Sequence, residues 1–192
     1  LQLILSMDSD LSEIVLRSLG ISCTATLLAT CFSLPLGATL AVCRFPGHRT
    51  VVVFLNALMG LPPVVVGLVV YLLLSRAGPF GEWGLLFTPT AMVIAQTILV
   101  TPIICALARQ YVEDLLVEYS EQLRSLGAGR LSMVLTLLWE GRFSLLTAIL
   151  AGFGRAVAEV GAVLIVGGNI AHHTRVMTTT IALETARGDL RL

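Results

Sequence analysis

Two side chains of opposite charge interrupt an apolar segment in the last third of the chain. Arg155 and Glu159 are the only charged residues of the stretch 143–167. At a spacing of four residues they share one face of a helix, where they can form an ion pair. Each charge costs about 2.5–3.5 kcal/mol at the centre of a membrane-inserted helix, so we expect the pair to face the interior of a helix bundle.

Two interpretations of this pair stay open. It either fixes helix packing as a neutralised ion pair, or Arg155 and its neighbours line a path through the bundle. An intramembrane enzyme would need a nucleophile near the pair, and none stands at a clear spacing from it. His172 and His173 are adjacent and lack a third ligand at helical spacing, which favours an ordinary exposed pair. We therefore predict no catalytic residue and no metal site.

The elements that carry this pair are long and apolar. Residues 18–43, 50–75 and 83–108 contain no charged side chain, and each stretch is 26 residues long. Such a helix is about 39 Å long, enough to cross a hydrocarbon core of about 30 Å. Only 12% of the residues are charged, about half the fraction typical of soluble proteins. With 143–167 as the fourth span, we predict an all-α polytopic bundle forming one domain over residues 1–192.

Prolines stand inside three of the predicted spans. We expect a kink at Pro35 in the first span, 18–42, and freed backbone carbonyls at Pro62 and Pro63 in the second, 51–74. In the third span, 91–107, Thr101–Pro102 is predicted to interrupt the helix. Backbone freed at membrane depth needs a protein-lined or water-lined environment, so these positions predict irregular structure inside the bundle.

The long polar stretch 109–142 separates the third span from the fourth. Apolar residues recur at helical spacing between 111 and 126, which predicts an amphipathic helix that ends at Gly127. A second helix is predicted from 131 to about 140. Arginines are more frequent in this stretch and in the turn 44–49 than in the opposite connections, which places both on the cytoplasmic side. The stretch 109–142 is therefore predicted to be a cytoplasmic elbow.

Two motifs carry a resemblance to a known family. Glu121-Gln122-Leu123-x-x-x-Gly127 resembles the Glu-Ala-Ala-x-x-x-Gly loop signature of ABC-importer permeases. The segment 152–162, followed by Gly167-Gly168-Asn169, resembles the molybdate and tungstate permeases, and most of all the tungstate type. The resemblance covers nearly the whole chain. It implies a type I importer bundle in the plasma membrane, with one more span expected beyond Leu192.

The resemblance also implies partners and a mechanism. A cytoplasmic ABC ATPase would hold ATP and magnesium, because this chain contains no lysine and hence no P-loop. A solute-binding protein would deliver the anion from outside to a permease homodimer in the lipid bilayer, without any nucleic acid. Tungstate is the expected cargo. The alternatives are molybdate or sulfate on the same machine, and a membrane assembly protein that transports nothing.

The resemblance assigns residues to these roles. Arg155 and Glu159 become the candidates for the anion path or for an intramembrane ion pair, and small residues between 152 and 162 become candidates for a homodimer interface. The chain departs from the family signature at Gln122 and Leu123, which replace alanines, and at 139–140, where Trp-Glu replaces Leu-Pro. The residues expected to contact the ATPase are Glu118, Glu121, Gln122, Leu123, Gly127 and Ala128.

Overall fold

The computed structural model describes residues 9–188, which are helical with short connections and contain no strand. This confirms the predicted all-α class. A short 3₁₀ turn, Gly81–Trp83, lies between the third and fourth helices. The helices are α1 Ser9–Val42, α2 His48–Met59, α3 Pro63–Leu74, α4 Pro89–Ser125, α5 Arg130–Glu140, α6 Arg142–Val157, α7 Gly161–Gly167 and α8 Met177–Arg187.

Two of these helices are long and apolar enough to cross a membrane by themselves. They are Leu11–Val42 within α1, and α4. The pair α2 and α3 is bent by 99°, and the pair α5 and α6 by 75°. If each bent pair counts as one span, the described residues contain up to four, in agreement with the predicted polytopic bundle.

The prolines act differently from one span to the next. Both α1 and α4 run through their prolines unbroken, so the predicted interruption at Thr101–Pro102 is wrong. Proline removes one backbone donor, and a long helix held by its neighbours tolerates that loss. At Pro62 and Pro63 the helix does break, because Pro62 is extended, with ψ of 125°. The predicted second span is therefore two helices.

Helix α4 joins two elements that were predicted as separate helices. It contains 37 residues and includes both the predicted third span and the predicted amphipathic helix. At about 1.5 Å per residue it is roughly 55 Å long, whereas a bilayer with its headgroups measures about 40–45 Å. One end of α4 therefore projects beyond the membrane unless the helix is strongly tilted.

The described residues separate into two compact units. The first contains residues 9–25, 62–98 and 155–188, and the second contains 26–61 and 99–154. In the first unit α3 lies directly against α7, since a Cβ on Gly67 would stand 2.7 Å from the Cα of Ala162. The second unit has a core in which Val112 of α4 and Leu137 of α5 are buried together. The single-domain assignment stays a prediction.

Candidate functional site

Two helix breaks adjoin inside the first unit. One lies at Pro62, directly before α3, and the other separates α6 from α7 at residues 158–160. A Cβ placed on Gly161 would stand 2.9 Å from Cγ2 of Val64 and 3.7 Å from its backbone nitrogen. The non-helical backbone of these two apolar segments therefore lies together. The polar side chains around it determine the chemistry of this site.

Glu159 is the central polar group at this place. Its side chain is only 3% exposed, and its Oε2 accepts a hydrogen bond from Nη1 of Arg155 at 2.5 Å. Its Oε1 accepts a second bond from the backbone N–H of Ala162 at 3.0 Å, in the first turn of α7. The carboxylate therefore neutralises a cation and satisfies a helix amino terminus at the same time. Arg155 is 33% exposed.

The predicted ion pair is confirmed, but its predicted location on one continuous helix is wrong. Helix α6 ends at Val157, and Glu159 lies in the break that follows. The carboxylate bonds forward to Ala162 instead of remaining on the surface of α6, which is the behaviour of a capping group. The apolar segment 143–167 is consequently two helices.

Two further polar side chains support the break, and neither was predicted from the sequence. Gln96 Nε2 donates to the carbonyl of Ala156 at 3.0 Å, and Thr178 Oγ1 donates to the carbonyl of Glu159 at 2.9 Å. These carbonyls lie at the end of α6 and in the break that follows, where regular helical bonding stops; that of Ala156 also accepts the N–H of Glu159 at 3.2 Å. The sequence contained one signal for Gln96, because it is a polar amide side chain within a charge-free stretch. Thr178 offered none, because its role arises only from the fold.

The elbow between α4 and α5 is built on a glycine turn. Gly127 has φ of +68°, in the left-handed region that favours glycine. Its N–H donates to the carbonyl of Arg124 at 3.0 Å, and the N–H of Ala128 donates to that of Leu123 at 2.9 Å. These two bonds form a Schellman motif, which ends the helix while satisfying its last carbonyls. The predicted turn and the predicted second helix are both confirmed.

The residues predicted to contact an ATPase divide into two groups. Glu118, Glu121 and Gln122 are exposed. Leu123 is half-buried against the core of the second unit, where it packs inward. Leu126, which the helical pattern placed on the inner face, is 82% exposed instead. The exposed surface of the elbow therefore comprises acidic and amide groups beside an apolar side chain.

A charge cluster in the second unit joins the turn 44–49 to α4. Arg44 Nη2 lies 2.9 Å from Oε1 of Glu113, and Arg109 pairs with the other oxygen of the same carboxylate. These contacts bring the turn and the elbow end of α4 to the same end of the unit. The prediction that both lie on the cytoplasmic side requires that arrangement. The sequence pattern did not identify Glu113 as the connecting residue.

The small residues of 152–162 are largely used within the chain. A Cβ on Gly152 would stand 2.6 Å from Cγ1 of Ile104, whereas Gly154 has open space around it. The homodimer interface stays a prediction, and Gly152 cannot contribute a free surface to it. Among the described residues no group of three or more metal-ligating side chains occurs.

Comparison with known proteins identifies the family of this chain. No protein-family profile matches the chain. The tungstate uptake system permease protein TupB of Peptoclostridium acidaminophilum is 41% identical over 189 residues, 98% of this chain and 83% of the relative. The chain belongs to the tungstate-type family of ABC transporter permeases. It is thus a membrane-embedded, multi-pass transport component.

Other relatives extend the family to further anions. A probable anion ABC transporter permease protein of Haloferax volcanii is 38% identical over 94% of this chain and 80% of the relative. The molybdenum transport system permease protein ModB of Escherichia coli is 28% identical over 88% of this chain and 77% of the relative. These permeases support an oxyanion as the class of cargo. The elbow and the two adjoining breaks are therefore features of a transport protein.

Proposed function

We propose that this chain is the membrane-spanning subunit of an ATP-driven importer that carries tungstate into the cytoplasm across the plasma membrane. A separate ABC ATPase holds ATP and magnesium, and a solute-binding protein delivers the anion to a permease homodimer. Relatives at 40–41% identity named as tungstate uptake permeases support the cargo. The elbow supports the coupling of the ATPase to movement of this chain.

The observation that carries this proposal is the continuity of α4 with the elbow. One unbroken helix runs from Pro89 to Ser125, and the glycine turn follows it directly. Glu121 and Gln122 stand exposed on its last turns. A displacement imposed on the elbow by an ATPase is therefore transmitted along a stiff helix to residues inside the bilayer. In this mechanism Glu121 anchors the elbow and Gly127 sets its angle.

The test measures tungsten, molybdenum and sulfur uptake in cells that express this chain with its ATPase and its binding protein. Gly127→Val is the test variant and Gly129→Val the matched control. A Cβ meets nothing within 4 Å at either glycine, but Gly129 has φ of −73° and ψ of 167°, which valine adopts readily. Only Gly127→Val places a side chain in the left-handed region, at a cost of roughly 1–2 kcal/mol.

We expect selective tungsten accumulation that Gly127→Val strongly reduces and Gly129→Val retains. Gly127→Asn should lie between them, because asparagine tolerates positive φ better than other side chains. Equal accumulation of molybdenum or sulfur would mean that the cargo is the wider class of oxyanions and not tungstate alone. No accumulation of any anion, with the protein present in the membrane and no glycine-dependent binding of the ATPase, would favour a non-transporting assembly protein.

A further inference from the structure

Helix α5 has two apolar faces, and only one of them is buried. Val134 and Leu137 lie in the core of the second unit. On the other side three large apolar side chains of α5, spaced by four residues, are between 60% and 74% exposed, and Phe143 at the start of α6 continues this surface at 72% exposure. We call this surface the outer face; its members are Leu131, Leu135, Trp139 and Phe143. Soluble surfaces rarely display a continuous apolar patch of this kind without an occupant.

An arginine joins the two aromatic members of the outer face. The Cζ atom of Arg142 lies 5.0 Å from the ring centroid of Trp139 and 4.7 Å from that of Phe143. Its Nη1 also donates to the carbonyl of Trp139 at 2.9 Å. A cation over two aromatic rings combines an apolar body with a polar end, which is the composition that prefers a membrane–water interface.

The direction of α5 matches that environment. It is bent by 75° from α6, which begins the fourth apolar segment. A membrane-crossing helix is tilted by about 20° on average, so a helix at 75° to it lies within roughly 35° of the membrane plane. The exposed surface continues from Phe143 along α6 at Leu146 and Leu150. The outer face therefore adjoins a surface that a spanning helix presents to lipid.

We propose that the outer face of α5 lies in the headgroup–acyl boundary of the bilayer, on the elbow side, as an interfacial helix. Leu131, Leu135 and the aromatic rings insert below the headgroups, and Arg142 binds lipid phosphate. The glycine turn at Gly127 stands at the free end of this helix. The lipid surface thereby sets the height of the elbow relative to the membrane. This anchoring goes beyond the proposed transport function.

The two tryptophans of the chain, Trp83 and Trp139, make the proposal directly measurable. In Trp83→Phe, combined with an ATPase whose tryptophans are replaced by phenylalanine, the fluorescence comes from Trp139 alone. The full chain with its ATPase is reconstituted in vesicles of phosphatidylcholine and phosphatidylglycerol, either unbrominated or brominated near the headgroup or deep in the acyl chains. We expect shallow bromines to reduce the emission most, deep bromines less, and unbrominated lipid not at all. Trp139→Phe, which retains Trp83, serves as the matched control for lipid accessibility.

Three results would overturn the proposal. Emission that brominated lipid does not reduce would mean that Trp139 does not touch the bilayer. Quenching in the permease alone that disappears when the ATPase is added would identify the ATPase as the occupant. Quenching that appears only after dilution to one permease copy per vesicle would identify a second copy.

Discussion

Neutralising the buried ion pair separates the two interpretations of Arg155 and Glu159. Three variants are needed: Arg155→Gln, Glu159→Gln and the double variant. In Arg155→Gln the carboxylate stays buried at 3% exposure and keeps only the N–H of Ala162. In Glu159→Gln the amide oxygen still accepts that N–H, and the partly exposed guanidinium is left without a counter-charge.

The structure gives the two single changes unequal costs. Breaking a buried pair so that one charge remains costs about 3–5 kcal/mol, which applies to Arg155→Gln. Glu159→Gln should cost about 1–3 kcal/mol, because Arg155 is one-third exposed and can reach a polar environment. The double variant removes both charges and keeps the bond to Ala162, so its cost should be below that of Arg155→Gln alone.

The assay combines thermal stability of the detergent-extracted protein with tungsten uptake per folded molecule. For a chain of this length each kcal/mol lowers the midpoint by about 2–4 °C, so Arg155→Gln should lower it by roughly 6–20 °C. We expect the double variant to regain stability and uptake together, because both carboxylate oxygens are used within the chain. Regained stability without uptake would instead place the charge of Arg155 in the anion path.

This reasoning would be refuted by Arg155→Gln retaining the parental midpoint. It would also be refuted if the cost of the double variant equalled the sum of the two single costs. The first result would mean that the carboxylate is not buried against the guanidinium. The second would mean that the two side chains do not interact.

Two other predictions test packing and surface charge. Gly67→Val should abolish folded protein in the membrane, because its Cβ would meet the backbone of Ala162 at 2.7 Å, whereas Gly154→Val has open space and should be tolerated. Equal membrane yields would contradict the α3–α7 packing. Glu113→Gln should cost about 1–3 kcal/mol, because Arg109 is only 16% exposed and loses its counter-charge, whereas Arg44 is largely exposed and contributes little. A larger loss would show that this cluster holds the turn 44–49 in place.

The sequence predicted those features of the fold that depend on local physics. Charge-free stretches identified the membrane segments, and helical periodicity followed by Gly127 identified the elbow. Whether a proline breaks its helix could not be predicted, because the outcome depends on neighbours: α4 passes through Pro102, while Pro62 and Pro63 separate two helices. The role of Glu159 as a cap likewise required knowing that α6 stops at Val157.

The place where the breaks adjoin explains why a salt bridge is retained within an apolar segment. Ending α6 at Val157 and starting α7 at Gly161 leaves backbone donors and acceptors that lipid cannot satisfy. The carboxylate of Glu159 takes one donor, Gln96 and Thr178 each supply a bond to a carbonyl, and Arg155 neutralises the carboxylate. Removing the charges alone would leave the break intact, but removing the break would leave the polar groups unsatisfied. The pair therefore depends on the broken helix, whereas the break does not depend on the two charges.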